Sequence, residues 1–166
     1  ALLLIGPALE QGVQLDLVGK ITSIPYINMT LALLNNLGIQ TEFKGQSIFV
    51  EPQKNPKLTP QIVESDWSSA SYFFSIVALA EESEIQLTSY KEDSLQGDRV
   101  LRKIYRELGV HSTLTDQTLT LRKEPVQLPD VLEWDLSTAP DIAQTIAVSC
   151  YGLGIGCVLT GLHTLI

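Results

Sequence analysis

The run Asp66-Trp67-Ser68-Ser69-Ala70-Ser71 sets an acid and three hydroxyls at the start of an apolar helical stretch. Side-chain oxygens at such a start accept hydrogen bonds from the free N–H groups of the first turn. The same N–H groups, aligned with the helix dipole, also favour a phosphate or carboxylate ligand. The two readings are compatible. Thr138-Ala139-Pro140-Asp141 puts an acid inside the first turn of another helix. Such an acid either complements the dipole or is displayed toward a cleft, where it can act as a general base or orient a hydroxyl. Ser23-Ile24-Pro25-Tyr26 lies at a strand-to-helix turn. Pro25 suits the first helical turn, and the Ser23 hydroxyl and Tyr26 ring are candidate ligand contacts. Ser94-Leu95-Gln96-Gly97-Asp98 occupies a similar turn and reads as capping.

Other chemistries find little support. Gly152, Gly154 and Gly156 form a Gly-x-Gly-x-Gly run, but it follows a helix and precedes a strand, the reverse of a dinucleotide loop. Two cysteines, Cys150 and Cys157, make no disulfide framework and read as core residues. With only His111 and His163 beside them, no zinc spacing arises. His111 reads as a strand surface residue, and His163 falls at a strand end. Eleven basic and 19 acidic side chains give a net charge of −8, which argues against general affinity for nucleic acid or anionic membrane. The apolar runs are too short to span a bilayer, and the apolar opening has neither a basic leader nor a cleavage box. A reduced, cytoplasmic protein is expected.

The elements that must position these residues are α/β in pattern. Residues 13–17 alternate as a strand. A helix from Pro25 buries Ile27, Leu31, Leu34 and Leu37 and stops at Gly38. Strands 39–43 and 48–51 flank Lys44-Gly45-Gln46. Residues 52–60 hold three prolines and read as a linker. Beyond it, 62–64 is a strand, 68–81 a helix, 85–88 a strand, and 97–108 a helix with Val100, Leu101, Ile104, Tyr105 and Leu108 on one side. Strands 110–115 and 118–122 turn across Asp116-Gln117, and the pattern restarts with strand 131–135, helix 139–151 and strand 157–160.

The order β-α-β-α-β-β is an internal repeat. Leu37-Gly38-Ile39 recurs 71 positions later as Leu108-Gly109-Val110. The Asp66–Ser71 run recurs 69 later as Asp135-Leu136-Ser137-Thr138-Ala139-Pro140. Val13-Gln14-Leu15, Ile85-Gln86-Leu87 and Cys157-Val158-Leu159 are spaced by 72. Three copies share one design, the first without its start and the third without its end. Where the third copy has Asp141, the second has Tyr72.

Several of these runs resemble one family. Glu64-Ser65-Asp66-Trp67-Ser68-Ser69-Ala70-Ser71-Tyr72-Phe73 is similar to the hinge-and-helix segment of the EPSP synthases, the 3-phosphoshikimate 1-carboxyvinyltransferases. Ser94-Leu95-Gln96-Gly97-Asp98 resembles their Ser-x-Gln-Gly-Asp turn, and Pro140-Asp141-Ile142-Ala143-Gln144-Thr145 their Pro-Asp-x-Ala-x-Thr segment. Ser23-Ile24-Pro25-Tyr26-Ile27 resembles their Ser-x-Pro-Tyr-Ile contact with shikimate 3-phosphate. The matches run in family order along essentially the whole chain.

The resemblance implies the enolpyruvyl transferase fold, two globules each built of β-α-β-α-β-β units, with the active site in the cleft between them. Residues 1–62 would be the last unit of one globule plus the linker, and 63–166 one full and one partial unit of the second. The implied reaction transfers the enolpyruvyl group of phosphoenolpyruvate to the 5-hydroxyl of shikimate 3-phosphate by addition and elimination. Asp141 would be the catalytic carboxylate. Ser23, Tyr26, Asp141 and Thr164 would contact substrate. No metal or organic cofactor is implied. The cations that grip the phosphates would lie outside this chain, so this piece is expected to be inactive alone. It is also expected to associate through faces its missing units would cover, whereas the parent protein would be monomeric. Two alternatives stand beside this one. A UDP-N-acetylglucosamine enolpyruvyl transferase would use a reactive loop cysteine, and a non-catalytic repeat module would have no ligand-responsive cleft.

Overall fold

The computed structural model describes residues 1–56 and 60–163. The chain divides into two units, Ala1–Ile62 and Val63–Ile166.

The first unit begins with α1 (Leu2–Ile5) and a 3₁₀ turn at Gly6–Ala8. Next come β1 (Val13–Asp16), α2 (Ile24–Asn36), β2 (Thr41–Lys44) and β3 (Ser47–Val50). The three strands form an antiparallel sheet in the order β1-β3-β2, with Val50 of β3 opposite both Val13 and Thr41. The helical spacing in α2 works as expected. Leu31 and Leu34 are buried with Leu3, Ile39, Ile48 and Val50, and Ile27 and Leu37 pack against them. Gly38 ends the helix at φ 79°, a conformation glycine adopts without steric cost.

The second unit contains α3 (Trp67–Leu79) and β4 (Glu84–Thr88). A 3₁₀ turn at Gly97–Val100 runs into α4 (Leu101–Ile104), then β5 (Val110–Thr115) and β6 (Thr118–Lys123). After these come β7 (Val131–Asp135), a 3₁₀ turn at Pro140–Ile142, α5 (Ala143–Leu153) and β8 (Gly156–Thr160). The sheet β4-β6-β5 is antiparallel and repeats the order of the first unit, while β7 and β8 pair in parallel around α5. Asp116 and Gln117 turn the β5–β6 hairpin with φ of 49° and 61°, as a two-residue turn matched to strand twist requires. The mixed helix-and-strand class therefore holds.

The core of this unit is larger. Trp67, Phe74 and Val77 of α3 are fully buried with Leu101, Ile104, Tyr105, Leu119, Leu121, Leu132 and Ile146. Trp67 meets Tyr90 edge to face at 5.0 Å between ring centres. Apolar side chains also remain outside: Tyr72 and Ile76 on α3, and Val148 and Tyr151 on α5, are exposed.

Four local expectations change. Residues 62–64 form no strand. Ile62 and Val63 are exposed, and just beyond them Ser65 bonds to the end of β4 and the residue after it, its N–H reaching Ser89 O at 2.7 Å and its hydroxyl Thr88 O at 2.8 Å. The helix expected over 97–108 shrinks to the 3₁₀ turn and α4, because the chain beyond Ile104 closes through i to i+3 bonds such as Leu108 N to Tyr105 O at 3.0 Å. Its apolar side still faces the core. The helix expected from 139 starts α-helical geometry only at Ala143, since Pro140 supplies no N–H and a 3₁₀ turn intervenes. Finally, Cys150 is buried as expected, but Cys157 is exposed on β8.

Candidate functional site

The first candidate helix start is filled by its own chain. Asp66 caps α3: its Oδ1 accepts from Ser68 N at 3.0 Å, and its Oδ2 accepts from Ser69 N at 3.1 Å and from the Ser69 hydroxyl at 2.7 Å. Burial pushes the Asp66 carboxyl up, but the bonds from Ser69 and Ser68 outweigh it and hold the group below its ordinary value. An outside anion would have to displace this carboxylate. Capping is therefore the reading the geometry supports here.

The segment leading into α3 is held by side chains that the sequence suggested were only caps. Gln96 spans it: its Oε1 accepts from Trp67 N at 2.9 Å, and its Nε2 donates to Ser65 O at 3.0 Å. The Ser94 hydroxyl donates to Glu64 Oε1 at 2.8 Å and accepts from Gln96 N at 3.2 Å. Asp98, fully buried, accepts from the Ser68 hydroxyl. Tyr90 donates its hydroxyl to Asp66 O at 3.2 Å. The only sequence signal for this clasp was polar residues at two turns about thirty positions apart, and periodicity does not link such turns.

The second helix start is built differently. Asp135 matches Asp66, and its Oδ1 accepts from Ser137 N at 2.8 Å, as Asp66 does from Ser68 N. Beyond it the two stretches differ in geometry. The turn continues to Ala139, Pro140 is buried, and neither the 3₁₀ turn nor α5 has a side-chain cap. Asp141 stands in that turn, exposed, with Pro140 and Ile142 buried on either side. Among the described residues its carboxylate makes no hydrogen bond or ion pair.

A rigid support lies behind Asp141. Ala143, Ile146 and Cys150 of α5 are buried. Thr145 Oγ1 meets the Ser71 hydroxyl at 3.0 Å. Ser149 lies 2.8 Å from both the Tyr105 hydroxyl and the Ser75 hydroxyl, and it donates to Thr145 O at 2.8 Å. Burial raises the Tyr105 pKa to about 12, although its bond to Ser149 works against the shift. These hydroxyls join α5 to α3 and to the chain after α4 at buried depth, where a satisfied network stiffens its surroundings.

Ser23 and Tyr26 belong to the first unit and come together at the start of α2. Ser23 precedes the helix with φ 53° and ψ 33°, a left-handed conformation unusual for serine, and its side chain makes no cap bond. The Tyr26 N–H donates to Ser23 O at 3.0 Å. Tyr26 is half-buried with its hydroxyl oxygen out of solvent. Thr164 lies outside the described residues.

The remaining candidates fall into structural places. Gly154 ends α5 with φ 72°. His111 on β5 meets Glu124 at 3.2 Å. Burial raises the Cys150 thiol to about 11, and the neighbouring Cys157 adds to the shift. Neither cysteine is on a mobile-type loop: one is on α5 and the other on β8. Among the described residues no group of three His, Cys, Asp or Glu side chains could hold a metal ion, and no helix is long and apolar enough to cross a membrane.

Comparison with known proteins bears on the whole chain. A family model described as EPSP synthase (3-phosphoshikimate 1-carboxyvinyltransferase) matches residues 1–163. A 3-phosphoshikimate 1-carboxyvinyltransferase of Bacteroides fragilis strain YCH46 is 42% identical over 166 residues, which covers 99% of this chain and 40% of that protein. One from Mannheimia haemolytica is 31% identical over 152 residues, covering 90% of this chain and 34% of its own length. One from Pasteurella multocida strain Pm70 is 30% identical over 151 residues, covering 90% and 33%. The chain thus spans about two fifths or less of the length of these curated relatives.

Proposed function

The chain belongs to the EPSP synthase family, and from that premise we propose that it supplies part of a site for enolpyruvyl transfer from phosphoenolpyruvate to the 5-hydroxyl of shikimate 3-phosphate. The observation that carries the reading is the Asp141 carboxylate, exposed and, among the described residues, uncommitted in the 3₁₀ turn that leads into α5.

The chemistry needs a group that takes a proton from the attacking hydroxyl as its oxygen bonds to the enolpyruvyl carbon. The methylene carbon gains a proton in the addition, and in the elimination the resulting methyl group gives up a proton as phosphate leaves, which restores the double bond. A carboxylate free of internal hydrogen bonds can accept such a proton, and a fixed position adds to its effect. Asp141 has the first property among the described residues, and its backbone lies between the buried Pro140 and Ile142. Its support through Thr145, Ser149 and Tyr105 holds the helix that carries it. Ser23 and Tyr26 would be contacts for the phosphorylated substrate. The left-handed Ser23 fits this role, because backbone strain of that kind concentrates at ligand-binding turns. In the same proposal, Ala1–Ile62 is the last unit of one globule plus the linker, and Val63–Ile166 is one full and one partial unit of the second. The net charge of −8 then leaves the anion-holding cations to other segments of the parent. With two free cysteines, a reduced cytoplasmic setting and a monomeric parent complete the proposal.

The cysteine-dependent alternative loses support from Cys150 and Cys157 lying on regular elements, and the non-catalytic alternative from the family match. The test is Asp141→Asn in the full-length protein. Phosphate release should fall by about 10²–10⁴-fold while calorimetric binding of shikimate 3-phosphate persists. Ser23→Ala should weaken that binding and leave the fold intact. Unchanged turnover in the Asp141 variant would remove the catalytic assignment.

A further inference from the structure

We propose that an open groove beside α4 binds a small multivalent phosphate, such as a pyrophosphate-bearing metabolite. The groove measures about 500 Å³ and is walled by Arg99, Arg102, Lys103 and Arg106. The chain has only 11 lysines and arginines and a net charge of −8, so four cations on one groove are a marked local concentration.

The guanidinium groups are held in place. Arg99 Nη1 donates to Glu92 O at 2.7 Å and to Ser94 O at 3.4 Å, which orients the group without cancelling its charge. Arg102 donates through Nε to the Ser112 hydroxyl at 3.2 Å and through Nη2 to Ser112 O at 3.4 Å. The groove also carries two carboxylates, Glu92 paired with Arg102 at 3.4 Å and Glu107 accepting from the Trp134 ring N–H at 3.2 Å, so its four cations leave a net charge of 4 − 2 = +2. Lys103 and Arg106 are exposed, and among the described residues neither is in an ion pair. Pre-oriented guanidiniums with a nearby ammonium match the oxygens of a phosphate group, and two linked phosphates would engage both ends of such a row.

The repeat shows that packing does not require these charges. The 71-residue offset places Asn28, Leu31, Ala32 and Asn35 of α2 at the positions of Arg99, Arg102, Lys103 and Arg106. The first copy folds its sheet in the same strand order with no charge at any of the four.

The test titrates inorganic pyrophosphate into the isotope-labelled full-length protein and follows the backbone amides of residues 99–112. Pyrophosphate should shift these amides, and the affinity read from them should fall by about tenfold or more in Lys103→Gln/Arg106→Gln. Lys20→Gln/Arg122→Gln removes the same net charge elsewhere and should keep the affinity close to that of the parent protein. Turnover of both variants reports that they are folded. No shift across 99–112, or equal weakening by the two variants, would overturn the proposal.

Discussion

The starts of α3 and α5 grow from matching stretches of sequence and end in opposite states. Asp66 and Asp135 each accept a bond from the amide two residues on, at 3.0 and 2.8 Å. After Asp66 the helix begins at once, and the second carboxylate oxygen takes Ser69 N. After Asp135 the helix is delayed, and the residue matching Ser71 is Pro140. That proline has no N–H to be capped, so the turn it opens consumes no carboxylate. Asp141 is left uncommitted one position later. A change in turn geometry therefore separates a closed helix start from an open one, although both are rich in hydroxyls and acids. Acidic residues near a helix start say little until it is known which N–H groups they already serve.

The most forceful test of this contrast exchanges effects between the two acids. Asp141→Asn in the full-length protein should cut turnover by about 10²–10⁴-fold. It should barely move the denaturation midpoint, because among the described residues the Asp141 side chain holds nothing. Asp66→Ala should do the reverse, with stability lost and catalysis reduced only as folded protein is lost. Similar profiles for the two variants would dissolve the distinction between a structural acid and a displayed one.

The next largest effect should come from Ser149, which links the two helices. Ser149→Ala strands the buried hydroxyls of Tyr105 and Ser75, each 2.8 Å from Ser149 Oγ. The expected loss is about 1–3 kcal/mol, read from urea unfolding. If the hydroxyls support Asp141, the variant should also lower kcat beyond what the loss of folded protein explains, while KM stays near its original value. Removal of the Asp66 cap should cost less, about 0.5–2 kcal/mol. At the start of α2, Ser23→Ala should cost almost nothing in stability, since Ser23 forms no cap bond.

Much of this arrangement was legible from residue order alone. Ile27, Leu31, Leu34 and Leu37 at helical spacing marked the buried side of α2, and Asp116-Gln117 marked a turn now seen with both φ values positive. Offsets near 70 residues linked Asp66 with Asp135, and the structure gives both the same bond. Less legible were features set by distant partners. Residues 62–64 have strand-like composition, yet they form no strand, and Ile62 and Val63 stand exposed. Leu101, Ile104, Tyr105 and Leu108 fit an α-helix by spacing, and a 3₁₀ turn with following i to i+3 bonds buries the same side chains. Cys157 looked like core, but it stands exposed on β8. Asp141 was identified through resemblance, whereas its lack of internal partners is a matter of three-dimensional placement.

The smallest expected effect distinguishes the two helix starts by acid alone. Asp66 is held below the ordinary carboxyl value of 3.8, since the bonds from Ser69 and Ser68 outweigh its burial. In the unfolded chain those bonds are absent, so the unfolded state takes up this proton first as pH falls. Asp66 therefore contributes its full share of stability above about pH 3.8, and that share is lost as pH drops through the lower folded value. Asp66→Asn retains an oxygen for the cap but removes the titration, so it should flatten the stability profile below that pH. Asp16 in the first unit is also held low, chiefly by the Ser47 hydroxyl and then by Gln14, and it will leave some acid sensitivity in every variant. The informative quantity is thus the difference between profiles. Asp66→Asn should depart from the parent only on the acid side. An acid limb left unchanged by Asp66→Asn would show that this carboxylate does not hold the start of α3, and the contrast between the two starts would fail.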